Sequence, residues 1–210
     1  MPNPMFRNRA RRLEQRIARM WSWAAKNPIQ LSSVTQISMW TRAMGNFLVK
    51  INPGLRCGLG RSEANELQFQ ISPNRKVELV PLVEQIVDVA PALEGVHVVA
   101  FIQSTSSSFL FDDHEITQDE IRVMYPRVAE DGAYHLTLYL PFKNGLKNSD
   151  LDSIAWDIAE RALGERFLIE RVSKCDAVFG FTDERSLPTL EEFIEILGQS
   201  PDGIDPGSHT

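Results

Sequence analysis

Between Glu66 and Phe101 the hydrophobic pattern changes period twice. Leu67, Phe69 and Ile71 alternate with Gln68, Gln70 and Ser72, the every-second-residue spacing of a half-buried strand. Leu79, Leu82, Val83, Ile86, Val87 and Ala90 then recur at intervals of three and four, which puts them on one face of a helix. Pro91 and Gly95 break that pattern before a second apolar run, Val96 to Phe101. The unit is strand, helix, strand, and it predicts a mixed sheet backed by helices.

Upstream, Leu13, Ile17, Met20 and Trp21 form a narrow apolar stripe on a helix over about 6–26, with arginines on its other face. Asn27-Pro28 ends it, because the residue before proline is pushed out of the helical region. A second helix is predicted over 33–50, with Ser33 and Gln36 spaced as a capping box and Ile37, Trp40, Met44, Phe47 and Leu48 as its buried face. Asn52-Pro53-Gly54 reads as a turn, and Leu55 to Leu59 as a short strand.

Downstream, Ser104 to Ser108 reads as a loop and Phe109 to Phe111 as a short strand. Ile121 to Val128 reads as a strand whose Pro126 argues for an edge position. Asp131-Gly132 is a hairpin signal. It leads into Tyr134 to Leu140, where Tyr134, Leu136, Leu138 and Leu140 share one side. A helix over 149–163 stops at Gly164. Phe167 to Val172 reads as a last strand, and Thr189 to Leu197 as a last helix.

The fold class is α+β. A mixed, mostly antiparallel sheet is expected, with helices packed on one face (ferredoxin-like elements with added strands) behind an N-terminal helical hairpin. The expected division is a helical extension over 1–50, an α+β domain over 51–198 and a disordered tail over 199–210. No internal repeat is visible in the sequence.

Charge changes this picture more than composition does. The net charge is -6, but residues 1–26 hold seven basic residues against one acidic, a net of +6, and the remainder is -12. A basic helix on an acidic body is suited to docking on its own or a neighbouring chain. An acidic chain with no aromatic stacking motif interleaving those arginines argues against nucleic acid as the partner. No apolar run reaches the roughly 18–20 residues of a membrane helix, and the arginine-rich start lacks the apolar stretch of a secretory signal. Cys57 and Cys175 lie far apart, which fits reduced thiols and a cytoplasmic location.

Several segments in order resemble an uncharacterised family of bacterial cytoplasmic proteins. They are Trp21-Ser22-Trp23 with Asn27, Ile51-Asn52-Pro53-Gly54-Leu55, Glu66 to Ser72, Pro81 to Phe101, and Leu136 to Pro141. The similarity spans about residues 20–175. It departs at Val96, where the family pattern has tryptophan, and at Ser72-Pro73-Asn74, where it has a small Asp-Gly turn. The resemblance implies the fold and no activity.

The chemistry-bearing residues are few. Asp112-Asp113-His114-Glu115 is dense in metal-ligand types, but adjacent residues of one turn point in different directions and no spaced ligand motif accompanies them. No metal or other cofactor is expected. Ser104 to Ser108 has no strand-turn-helix setting for a nucleophile, Gly58-Leu59-Gly60 is too short for a phosphate loop, and Cys175 has no nearby histidine. No catalytic residue is assigned.

The strand histidines are the remaining candidates. His135, Thr137 and Tyr139 share the less apolar side of one strand, and His97, Val99 and Phe101 share a side of another. If those strands are neighbours, His97, Phe101, His135, Thr137 and Tyr139 form one binding patch. The expected function is a non-enzymatic protein-interaction module, an inhibitor or immunity-type partner being one form. Its partner is another protein or a second copy. The alternative is a small-molecule-binding protein or hydrolytic enzyme built on His97, His135 and Tyr139.

Overall fold

The computed structural model describes residues 4–29, 33–62, 64–104, 108–111, 114–127, 132–141, 148–180 and 186–198. The chain is α+β and divides into two compact units, Met1–Ile102 and Gln103–Thr210. The boundary falls within the stretch 51–198 that was expected to be one domain, and the N-terminal helices belong to the first unit.

In the first unit, α1 (Pro4–Lys26) and α2 (Val34–Ile51) form the expected hairpin. Ile17, Met20, Trp21 and Ala24 are buried, while Arg9, Arg11, Arg12, Arg16 and Arg19 remain exposed. Trp23 packs on Phe47 at 5.7 Å between ring centroids. Arg16 donates to the carbonyl of Lys50 at 2.7 Å, satisfying one of the free carbonyls at the end of α2. The Ser33 hydroxyl accepts from the N–H of Gln36 at the start of that helix. Beyond α2, Asn52 Oδ1 accepts from the N–H of Gly54 at 2.8 Å, closing the turn read from the sequence. A side chain at Gly54 would begin 2.7 Å from Leu79 Cδ1, so a larger residue there would displace the Leu79 side chain.

The first sheet runs β1 (Arg56–Arg61), β2 (Leu67–Ser72), β3 (His97–Ala100), in that spatial order. β1 and β2 are antiparallel and β2 and β3 parallel. A short 3-10 turn (Val77–Leu79) and α3 (Val80–Asp88) cross between β2 and β3, the strand-helix-strand unit legible from the period change. Asn74 and Arg75 both have left-handed φ values, 54° and 60°, between the Pro73 carbonyl and the Lys76 N–H bonded to it. That is a mirror-image turn. Trp40 of α2 meets Phe69 of β2 edge-on, with centroids 5.0 Å apart, and Trp21 donates to the Ile86 carbonyl of α3 at 3.0 Å. The helices therefore cover the side of the sheet that carries Phe69.

The second unit holds a two-stranded hairpin, β4 (Ser108–Phe111) and β5 (His114–Thr117). It also holds a three-stranded sheet of β6 (Arg122–Met124), β7 (Tyr134–Leu140) and β8 (Val172–Phe179). β6 and β7 are antiparallel, β7 and β8 parallel. The crossover from β7 to β8 contains α4 (Asn148–Leu163) and α5 (Glu165–Arg171). The last helix, α6 (Leu190–Gly198), starts from a reciprocal cap: the Thr189 N–H donates to Glu192 and the Glu192 N–H to the Thr189 hydroxyl. Leu136, Leu138, Ala155, Ile158, Leu168, Cys175 and Phe193 are all members of one buried cluster.

Three expectations are corrected. Among the described residues the expected single sheet is three sheets, because β3 pairs there with β2 alone and Phe101, at φ 67°, turns the chain out of the strand. The segment 167–171 is helix, not strand. Gly164, at φ 81°, ends α4 and admits a second helix at once. There Phe167 and Leu168 are adjacent and both buried, and Arg166 and Glu170 pair at 2.9 Å one turn apart. The strand follows, from Val172. The two crossover helices expected on one shared sheet face therefore back different sheets, α3 the first and α4 the second. The hairpin signal at Asp131 and the tail over 199–210 lie outside the described residues, whereas Pro126 does follow an edge strand, β6.

Candidate functional site

The structure splits the residues that sequence reading grouped. His97 lies on β3 in the first unit, where its side chain is 65% exposed and its Nε2 is 3.7 Å from Glu66 Oε2. Exposed pairs of this kind contribute little. Phe101 is corrected: it lies past the end of β3 and is only 4% exposed, so it packs inward and presents no surface. His135, Thr137 and Tyr139 lie on β7, whose strand neighbours are β6 and β8. The condition for one shared patch, β3 beside β7, is not met by the strand order.

The β7 side of that reading is a surface. Burial along β7 alternates without a break, with Tyr134, Leu136, Leu138 and Leu140 buried and His135, Thr137 and Tyr139 half-buried between them. The register extends the second set across three strands. Met124 stands opposite Thr137, Arg122 opposite Tyr139, and Lys174, Asp176 and Val178 opposite His135, Thr137 and Tyr139. Val178 is 43% and Met124 39% exposed, and the Tyr139 hydroxyl lies 4.0 Å from the Met124 sulfur. Lys174 and Asp176 form a 2.6 Å ion pair. The hydrogen bond and charge of Asp176 hold the Lys174 ammonium above the usual lysine range. The face thus joins an apolar centre of Met124, Tyr139 and Val178 to a charged border.

The sheet has two outer edges. Along β6 the segment Pro188–Leu190 closes one, through Val123 N–H to the Pro188 carbonyl and Leu190 N–H to the Ile121 carbonyl, at 2.9 and 2.8 Å. Behind the sheet, Tyr134 sits in an aromatic cluster with Tyr125, Phe167 and Phe193, centroids 4.6–6.3 Å apart. Arg127 donates to the Tyr134 hydroxyl at 2.8 Å. The sequence carries no local signal for this cluster: Phe167-Leu168 fits a strand as well as a helix, and Phe167 lies 26 residues from Phe193 of α6.

A second feature, absent from the sequence reading, is a groove of about 610 Å³ in the first unit between α2 and β1. Thr41, Gly45 and Val49 of α2 face Leu55, Cys57 and Leu59. Cys57 Sγ lies 3.8 Å from the Thr41 carbonyl. Burial pushes its thiol up to about 11, so at neutral pH it is protonated and a poor nucleophile.

Of the acidic turn, Asp112 and Asp113 lie outside the described residues, and His114 and Glu115 open β5. Among the described residues no group of three or more His, Cys, Asp or Glu side chains is placed to hold a metal ion. No described helix is long and apolar enough to cross a membrane. No protein-family model matches the chain, and neither the curated proteins nor the solved structures provide a match.

Proposed function

We propose that this chain is a protein-interaction module without catalytic chemistry, and that the face of β6, β7 and β8 carrying Met124, Tyr139 and Val178 is its contact surface. The observation that carries the reading is the juxtaposition of Met124, Tyr139 and Val178 across three strands, on the side opposite the helices. An apolar centre with a polar border is the usual anatomy of a protein contact. The second unit carries nine basic and twenty-one acidic residues, a net of -12. The border of the face itself holds Arg122, Lys174 and Asp176, so the fitting partner presents an apolar patch with charges of both signs around it. An inhibitor or immunity-type role is one form of such a module, and the uncharacterised bacterial family that the chain resembles is compatible with it.

The test is differential capture from a bacterial lysate, comparing the full chain with Met124→Glu and Val178→Glu. Both positions are exposed, so both variants are expected to keep the fold. A protein that binds the unmodified chain and binds both variants at least about tenfold more weakly supports the reading. Equal binding by all three chains, or no bound protein, overturns it. Concentration-dependent dimerisation lost in both variants would assign the face to a second copy.

A further inference from the structure

We infer that the groove between α2 and β1 binds an extended, acidic segment of another protein by adding it to the first sheet as a fourth strand. This surface lies in the other unit from the face proposed above, and neither depends on the other.

Four observations converge. Among the described residues β1 has β2 as its one strand partner, so alternate N–H and C=O groups along its other side point outward. An edge of this kind is a template for a further strand. Its centre, Gly58-Leu59-Gly60, carries no charge, proline or bulge to discourage pairing, and Arg56 and Arg61 stand only at its ends. A Cβ at Gly58 would meet nothing within 4 Å and its φ is not left-handed. The fold itself does not require glycine there, whereas close approach by another backbone would favour it.

The helix supplies the second wall. Ser38, Thr41 and Gly45 line it with short side chains, and exposed Val49 adds apolar surface. β1 is six residues long. At about 3.3 Å per residue its edge spans roughly 20 Å, enough to pair five or six residues of an extended chain. Main-chain pairing would supply affinity, and every second side chain would enter the groove.

Charge selects the occupant. Among the described residues, Arg42 and Arg56 are the charged ones that line the groove, and the first unit has thirteen basic and seven acidic residues, a net of +6. Arg42 is exposed and makes no hydrogen bond or ion pair with a described residue. The Arg56 guanidinium is held at 3.1 and 3.0 Å by the carbonyls of Pro53 and Leu55. Two guanidinium groups beside an open edge suit aspartate or glutamate side chains, or a terminal carboxylate.

The experiment is selection of a phage-displayed library of random peptides on the full chain, followed by titration of the enriched sequences. Enriched peptides are expected to alternate apolar residues with Asp or Glu. Saturating peptide is expected to slow amide exchange at 57–60 by at least about tenfold, the mark of new backbone pairing. Ser38→Trp, which fills the groove, and Arg42→Glu, which reverses its charge, are each expected to weaken binding at least about tenfold with an unchanged melting temperature. No enrichment, enrichment of basic peptides, protection outside β1, or indifference to both variants would overturn the inference. So would self-association blocked by Ser38→Trp, which would put a second copy in the groove.

Discussion

The two units share a strand plan and differ in almost everything laid over it. In each, the first two strands of a three-stranded sheet are antiparallel and the third returns parallel through a helical crossover. Yet β2 carries Gln68 and Gln70 on the side away from its helices, and Gln70 lies across Gly60, where a Cβ would approach within 2.5 Å. β7 carries His135, Thr137 and Tyr139 there instead. The first unit has an excess of basic residues and the second of acidic ones. A common backbone plan is a solution to packing helices on short strands, while the surface each unit presents is set by side chains that the plan leaves free.

The strongest way to break this comparison is to damage one core and watch the other. Trp40→Ala removes the ring packed on Phe69 and the donor bonded to the Asn27 carbonyl, and is expected to cost about 3–5 kcal/mol. Leu138→Ala, at a fully buried position of β7, is expected to cost about 2–5 kcal/mol. Amide exchange resolved by segment should quicken in the first unit for one variant and in the second for the other. If both units respond equally to either change, they unfold as one and the comparison fails.

A chemical contrast comes next. With its thiol pushed up to about 11 from 9.0, Cys57 should hold about a hundredfold less thiolate near pH 8 than a free cysteine, and react with iodoacetamide correspondingly slowly. Buried Cys175 should react only on unfolding. The sign for stability follows from the folded thiol keeping its proton longer. The Cys57 contribution is complete below about pH 9 and falls as pH rises through about 11. Cys57→Ser should flatten that alkaline slope. An unaltered slope would place its origin elsewhere.

Smaller effects sharpen the comparison at the ends of the second unit. Thr189→Ala breaks the reciprocal cap of α6 and is expected to cost about 0.5–2 kcal/mol, read in a denaturant melt. Lys174→Met is expected to leave the melting temperature unchanged near neutral pH, because the pair with Asp176 is exposed. A folded pKa above the unfolded one makes the Lys174 contribution present below the usual lysine range and lost only above it. A clear drop in melting temperature at pH 7 would show that the pair does more than border the sheet face.

What could be read from the sequence was what is local. β7 was legible to the residue, because one side is buried along its whole length and the alternation is undiluted. The crossover through α3 was legible for the same reason, the change from period two to period 3.6 being steep. α5 was not, since seven residues give too few turns to display a period and Phe167-Leu168 fits either state. Nor was the division into separate sheets, because which strands lie side by side is fixed by distant packing. That one step put His97 and His135 on strands of different sheets. The groove was hidden for a related reason: α2 was read for its buried face, and Ser38, Gly45 and Val49 lie on the other side.

The shared strand plan also orders events in time. The loop joining β1 to β2 is the five residues 62–66, whereas 24 residues, 73–96, separate β2 from β3. Between β6 and β7 lie nine residues, and between β7 and β8 thirty-one. Short loops close sooner and at lower entropic cost than long ones. In each unit the antiparallel pair is therefore expected to gather first and wait for its crossover helix to deliver the parallel strand. Pulse-labelled exchange during refolding would show β1 and β2 protected before β3, and β6 and β7 before β8; simultaneous protection of all three would mean the strands arrive together.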